Sequence, residues 1–267
     1  MSGVVTDQMF WLGLLLKIAM TASIVVAASV VVERSGPFVG SLIAALPTAG
    51  GAAMIILAAE HTPQFIAQSV VGGMMANAAG ALFALTFAVL AQRNSLPISL
   101  GGAFAVWLSG VFLSRLFEWT APTALLANAI VYPLTIYAAS HFLGDVKARA
   151  RVSLTARDLV WRAGVVTLCV VIVTALSSSI GSYFSGAFAF FPVAMGSFFI
   201  ILHTRAGGPV AASVAAHVQA PLIGLCLGLF AVHILAEPLG VWWSYLIGLS
   251  IGVAWNGLLW LWKSRRK

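Results

Sequence analysis

Two prolines stand 145 residues apart in matching surroundings, and they mark where this chain would do its chemistry. Pro47 and Pro192 each lie inside a long apolar run, and each precedes a glycine by four residues, Gly51 and Gly196. Proline removes a helical donor and clashes with the carbonyl one turn back. Each run therefore reads as a broken or re-entrant helix, whose freed backbone groups need partners in protein or in a water-filled cavity. Paired breaks at corresponding positions of two halves point to a transporter's substrate site; the alternative is a simple kink at each proline, packed by neighbouring helices. Lys17 and Arg162 occupy matching positions ahead of the two prolines. Facing inward, such cations and the N-termini of half-helices would attract an anionic small molecule or a lipid phosphate. Snorkelling to the outer interface is the competing account for Lys17, and snorkelling to the inner interface is the expectation for Arg162. Asn77 and Gln219 add hydrogen-bonding groups at membrane depth. The candidate substrate-binding set is Lys17, Pro47, Gly51, Asn77, Pro192, Gly196 and Gln219. His217, two residues before Gln219 and four before Pro221, is the proton-coupling candidate because imidazole titrates near neutral pH. Its alternative role is a hydrogen-bonded core histidine. Asn77, Asn128 and Asn256 can equally join helices to one another.

Catalysis is not expected. All seven acids fall in loops or at the ends of apolar runs, so a paired intramembrane carboxylate is absent from the sequence. Neither HExxH nor GxSxG occurs, and there is no nucleophile–base–orienter set. Cys169 and Cys226 have no CxxC or metal-ligand spacing and read as small reduced residues. No metal or cofactor is implied.

The elements that would position these residues are transmembrane helices. The chain of 267 residues is 61% hydrophobic and 8% charged, whereas a water-soluble domain carries about 25% charge. Its solvent is therefore lipid, and the class is an all-α, polytopic membrane helical bundle. About nine runs are long enough to cross a hydrocarbon core of about 30 Å. They cover roughly residues 10–32, 38–59, 65–90, 98–117, 123–142, 159–182, 184–203, 210–234 and 239–262.

With the N-terminus outside and the C-terminus cytoplasmic, 12 of the 14 Lys and Arg residues lie in or beside inner loops. Only Lys17 and Arg115 lie on the outer side, as the positive-inside rule requires. The net charge of +7 is thus a topology signal, and nucleic acid is not expected as a partner. Tryptophans at both ends of the runs agree with interfacial belts. The expected location is a bacterial inner membrane.

The second half echoes the first. Residues 40–62, GSLIAALPTAGGAAMIILAAEHT, align with 185–207, SGAFAFFPVAMGSFFIILHTRAG, with Pro47 over Pro192, Gly51 over Gly196 and Ile55-Ile56-Leu57 over Ile200-Ile201-Leu202. LLLKIAM at 14–20 falls over LVWRAGV at 159–165, which sets Lys17 on Arg162. The units are residues 1–120, a first four-helix repeat, and 158–267, a second. Between them, 121–157 form a connector helix and a basic loop. A single connecting span inverts the second unit relative to the first, the architecture of secondary transporters with alternating access at the repeat interface. The expected function is a secondary transporter or lipid flippase, with membrane lipids and a small-molecule or lipid substrate as partners. A homodimer is compatible with this reading. The alternative is a non-transporting accessory or assembly subunit, in which the repeat serves packing alone.

The stretch from Gly40 through Pro47 into Ile55-Ile56-Leu57, ending in a charged or histidine-bearing segment, resembles the GlpM-type small membrane proteins. The likeness covers about 25 residues in each half and implies a duplicated four-span unit. It implies no catalytic residues.

Overall fold

Two helix starts in this chain combine a side-chain cap with a following proline. In the computed structural model Thr62 precedes Pro63, and its hydroxyl accepts the Phe65 N–H. Thr120 precedes Ala121-Pro122 and forms a reciprocal capping box with Thr123. Ser95 stands before Leu96-Pro97 without a side-chain cap bond. Proline at the first helical positions gives up only an N–H that the helix would leave unpaired, and the hydroxyl satisfies a second one.

The structure describes residues 48–143 and 155–265, with residues 13, 15, 18–23 and 27 ahead of them; Lys17 and Pro47 lie outside the described residues. The described chain is helical. A stretch at 18–23 precedes α1 (Thr48–Glu60), α2 (Pro63–Leu90), α3 (Leu96–Ser114), α4 (Ala121–Ser140), α5 (Ala156–Ala189), α6 (Val193–Ala206), α7 (Gly208–His217), α8 (Gln219–Leu239) and α9 (Val241–Ser264). Six stretches are long and apolar enough to cross a membrane, which makes this an integral membrane protein.

One of those stretches, Val160–Ala206, is 47 residues long. As a straight helix it would reach about 70 Å, over twice the hydrocarbon thickness of about 30 Å. It folds back instead. Gly181 takes φ 77°, ψ 171°, a conformation that only glycine adopts readily. Arg205 near the end of α6 meets Asp158 at the start of α5, and Ser197 meets Arg162. Span seven, expected from Phe184 to His203, thus returns to the level where α5 began. It is broken midway at Phe190–Pro192, and helix resumes at Val193.

Span eight, expected as one helix, divides at Val218. The backbone keeps helical angles there (φ −71°, ψ −22°), so the division is a gap in hydrogen bonding. Pro221 has no N–H to offer the His217 carbonyl four residues back.

α2 is the central helix, buried over most of its length and rich in alanine and glycine. Small side chains let helix backbones approach closely where lipid gives no hydrophobic drive for association. α2 and α8 run antiparallel, since Ala67, Gly73, Asn77 and Ala81 of α2 meet His233, Leu229, Leu222 and Gln219 of α8 in turn. α3, α4 and α9 form the outer layer and present large apolar side chains such as Leu113, Leu134, Trp243 and Leu258 outward. α4 turns a single stripe inward (Ala121, Ala124, Asn128, Tyr132, Thr135 and Ala139), at the three- and four-residue spacing of one helix face.

The internal repeat extends to the helix boundaries. Helices start at Pro63 and Leu96, and again at Gly208 and Val241, 145 residues later in both cases.

Candidate functional site

The crossing of α2 and α8 holds a buried polar cluster. Asn77, only 3% exposed, donates through Nδ2 to the Tyr132 hydroxyl at 2.5 Å and to the Leu222 carbonyl at 3.0 Å. The Tyr132 hydroxyl donates in turn to the same Leu222 carbonyl at 3.1 Å. One turn away Gln219 donates from Nε2 to the Ala81 carbonyl at 3.0 Å. Asn128, on the inward stripe of α4, donates to the Met74 and Ala124 carbonyls. The side-chain oxygens of Asn128 and Gln219 are buried without a hydrogen-bond partner. Two orphaned acceptors inside a membrane bundle are costly, and they are groups to which a substrate N–H or O–H, or a cation, could bind.

The break between α5 and α6 abuts this crossing. A Cβ on Gly73 would fall 2.8 Å from the Phe190 ring, and one on Gly50, near the start of α1, would fall 2.6 Å from it. Phe190 of this break thus lies between Gly50 of α1 and Gly73 of α2. Pro192 is the residue preceding α6, and the Gly196 N–H closes the first turn by donating to its carbonyl at 2.8 Å. Gly196 packs on Phe104, which a Cβ would meet at 3.0 Å. Gly51, its counterpart, has open space beside it and lines a cavity.

Arg162 does not snorkel. It is 5% exposed, its Nε donates to the Ser197 hydroxyl at 3.2 Å, and its guanidinium lies 5.7 Å from the centre of the Phe198 ring. Its Nη1 has no hydrogen-bond partner. The guanidinium is thus drawn to the first turns of α6, and the inner-interface account fails for it. The nearby carboxylate, Asp158, is engaged elsewhere: it accepts from the Thr155 hydroxyl and N–H, each at 2.7 Å, and pairs with Arg205. The hydrogen bonds from Thr155, aided by Arg205, hold the Asp158 carboxyl below its ordinary range.

The remaining candidates are placed less centrally. His217 ends α7, with Nδ1 bonded to the Ser213 carbonyl of its own helix at 2.8 Å. Among the described residues no group of three His, Cys, Asp or Glu side chains could hold a metal ion. Sequence reasoning passed over Tyr132, although the stripe Ala124, Asn128, Tyr132, Thr135 carries the signal in its spacing.

No family model, curated protein or solved structure matches the chain. The likeness to GlpM-type proteins accordingly rests on the residues that carry it.

Proposed function

We propose that the chain is a secondary transporter or lipid flippase built as an inverted repeat, and that its substrate carries an anionic group. The observation that carries this reading is the bond from Asn77 to the Leu222 carbonyl, which joins positions 145 residues apart. A residue touches its own repeat counterpart only where a symmetry axis passes. Because α2 and α8 run antiparallel there, that axis lies across the helices, in the membrane plane, as in transporters whose halves rock about a midplane site. The helix starts at a constant offset support the same division into residues 1–120, 121–157 and 158–267. α4 is then more than a connector, since it delivers Tyr132 and Asn128 to the axis.

The anionic preference rests on Arg162, a buried cation with an unpaired N–H group beside the early turns of a half-helix. Arg93, Arg157, Arg205 and Arg265 belong to the end where α5 and α7 begin and α2 and α9 finish, which supports a cytoplasmic assignment for that end.

The test is flux in proteoliposomes against a panel of inorganic and organic anions and headgroup-labelled phospholipids. Wild type should move at least one of them. Pro192→Ala and Arg162→Met should each reduce that flux more than about tenfold at matched membrane levels. Absence of flux for the whole panel, with a well-inserted protein, would favour the accessory-subunit reading.

A further inference from the structure

The two halves differ at five equivalent packing positions, and among the described residues the difference leaves a hole. In the first half α2 and α3 meet α6 through an aromatic cluster. Phe83 lies 5.0 Å from Phe104 and 6.0 Å from Phe199, Phe87 stacks on Phe199 at 4.5 Å, and Trp107 and Phe104 both reach Phe191, at 5.0 and 5.2 Å. In the second half, at the same offset of 145, Phe83 becomes Gly228, Phe87 becomes Val232, Phe104 becomes Leu249, Trp107 becomes Gly252 and Phe199 becomes Met54. Those five residues all line a cavity of about 160 Å³ between α1, α8 and α9. The break sends one ring to each side, Phe191 into the cluster and Phe190 to the cavity wall.

The hole cannot close by approach of its walls. α8 and α9 already touch backbone to backbone, because a Cβ on Gly228 would fall 2.5 Å from the Gly248 carbonyl oxygen. Gly50 against the Phe190 ring holds the start of α1 in place. Lining atoms with nothing opposite them lose their dispersion contacts, and an apolar cavity of this size excludes water yet accepts an apolar guest. Two polar side chains stand in its wall, Asn256 and Tyr245, whose hydroxyl donates to the Met54 carbonyl at 2.9 Å, and no charged residue lines it. Leu249, in the same wall, is 55% exposed on the outer face of α9, so the cavity meets the surface that lipid covers.

We propose that this cavity binds one acyl chain of a membrane phospholipid. The aromatic cluster is its filled counterpart, so the site exists on one side of the bundle only and is set by sequence. It stands whether or not the chain transports.

The full chain, reconstituted with a phosphatidylcholine carrying a photoactivatable diazirine at one acyl terminus, tests this directly. Adducts should concentrate on peptides spanning 51–55 and 245–256 and exceed those on 100–111 by about fivefold or more. Gly252→Trp, which copies the filled half, should abolish the excess. A Cβ there meets its nearest atom at 3.7 Å, so ordinary contact is all the backbone must bear. Gly51→Leu, pointed into open space, serves as a second filling variant should the first express poorly. Equal labelling of the α3 and α9 peptides would overturn the proposal. So would an excess that survives either filling substitution in a monodisperse protein, or native mass spectrometry showing a tightly held apolar molecule that phospholipid does not displace.

Discussion

Replacing Arg162 by methionine should make the substrate-free protein more stable while removing its response to anions. Methionine keeps an unbranched stem and discards the guanidinium. The losses are a hydrogen bond to Ser197 at 3.2 Å and the contact with the Phe198 ring at 5.7 Å. A hydrogen bond from a charged donor at that length is worth about 1.5 kcal/mol and the ring contact about 0.5–1 kcal/mol. Against this stands the burial of a 5%-exposed cation with an unpaired Nη1, which costs several kcal/mol. The balance favours methionine by about 1–3 kcal/mol, or roughly 2–12 °C in apparent Tm at about 2–4 °C per kcal/mol for a chain of this size. Unfolding in detergent, followed by intrinsic tryptophan fluorescence, measures it. Titration with phosphate and with a short-chain phosphatidic acid supplies the second arm. A ligand at a hundred times its Kd raises stability by about 2.7 kcal/mol, and only wild type should show the rise. A methionine variant less stable than wild type by more than about 1 kcal/mol, or one that keeps the anion response, would refute the reasoning. The guanidinium would then be an ordinary structural group.

Three other outcomes follow from the packing and the termini. Gly186→Ala should cost about 1–3 kcal/mol or block folding, as overpacking does, because its Cβ would fall 1.6 Å from the Ser69 carbonyl oxygen; Gly51→Ala should be neutral in the same melting assay, with nothing within 4 Å. Asn77→Leu should destabilise by about 1–2 kcal/mol, two interhelical bonds at about 0.6 kcal/mol or more each, measured by denaturation in mixed micelles; no loss would mean that the bonds at the crossing are dispensable. The depressed pKa of Asp158 means that its contribution is present above its unfolded value near about 3.9 and is lost as pH falls through the lower folded value. Hydrogen exchange in residues 155–160, corrected for intrinsic rates, should therefore accelerate below about pH 4 in wild type and be insensitive to that change in Asp158→Asn.

Composition alone settled the class, because 8% charge cannot coat 267 residues in water. Apolar runs located most of the helices, and the repeat offset from Pro47 to Pro192 reappears at two pairs of helix starts. Both are read directly along the chain, from composition and from self-similarity, without knowing which helices meet. What lay beyond sequence was the direction each side chain takes. Arg162 sits near a helix start, where snorkelling is the usual resolution, yet Ser197 and Phe198 draw it inward from 35 residues away. Tyr132 gained its role only when α4 packed against α2 and α8. The exchange of Phe83, Phe87 and Trp107 for Gly228, Val232 and Gly252 is visible in an alignment of the halves. Apolar residues suit lipid and protein interior alike, so the pattern cannot say that one set meets in a cluster and the other walls a cavity. In a bundle solvated by hydrocarbon, hydrophobicity does not distinguish inside from outside, and packing between distant helices makes that choice.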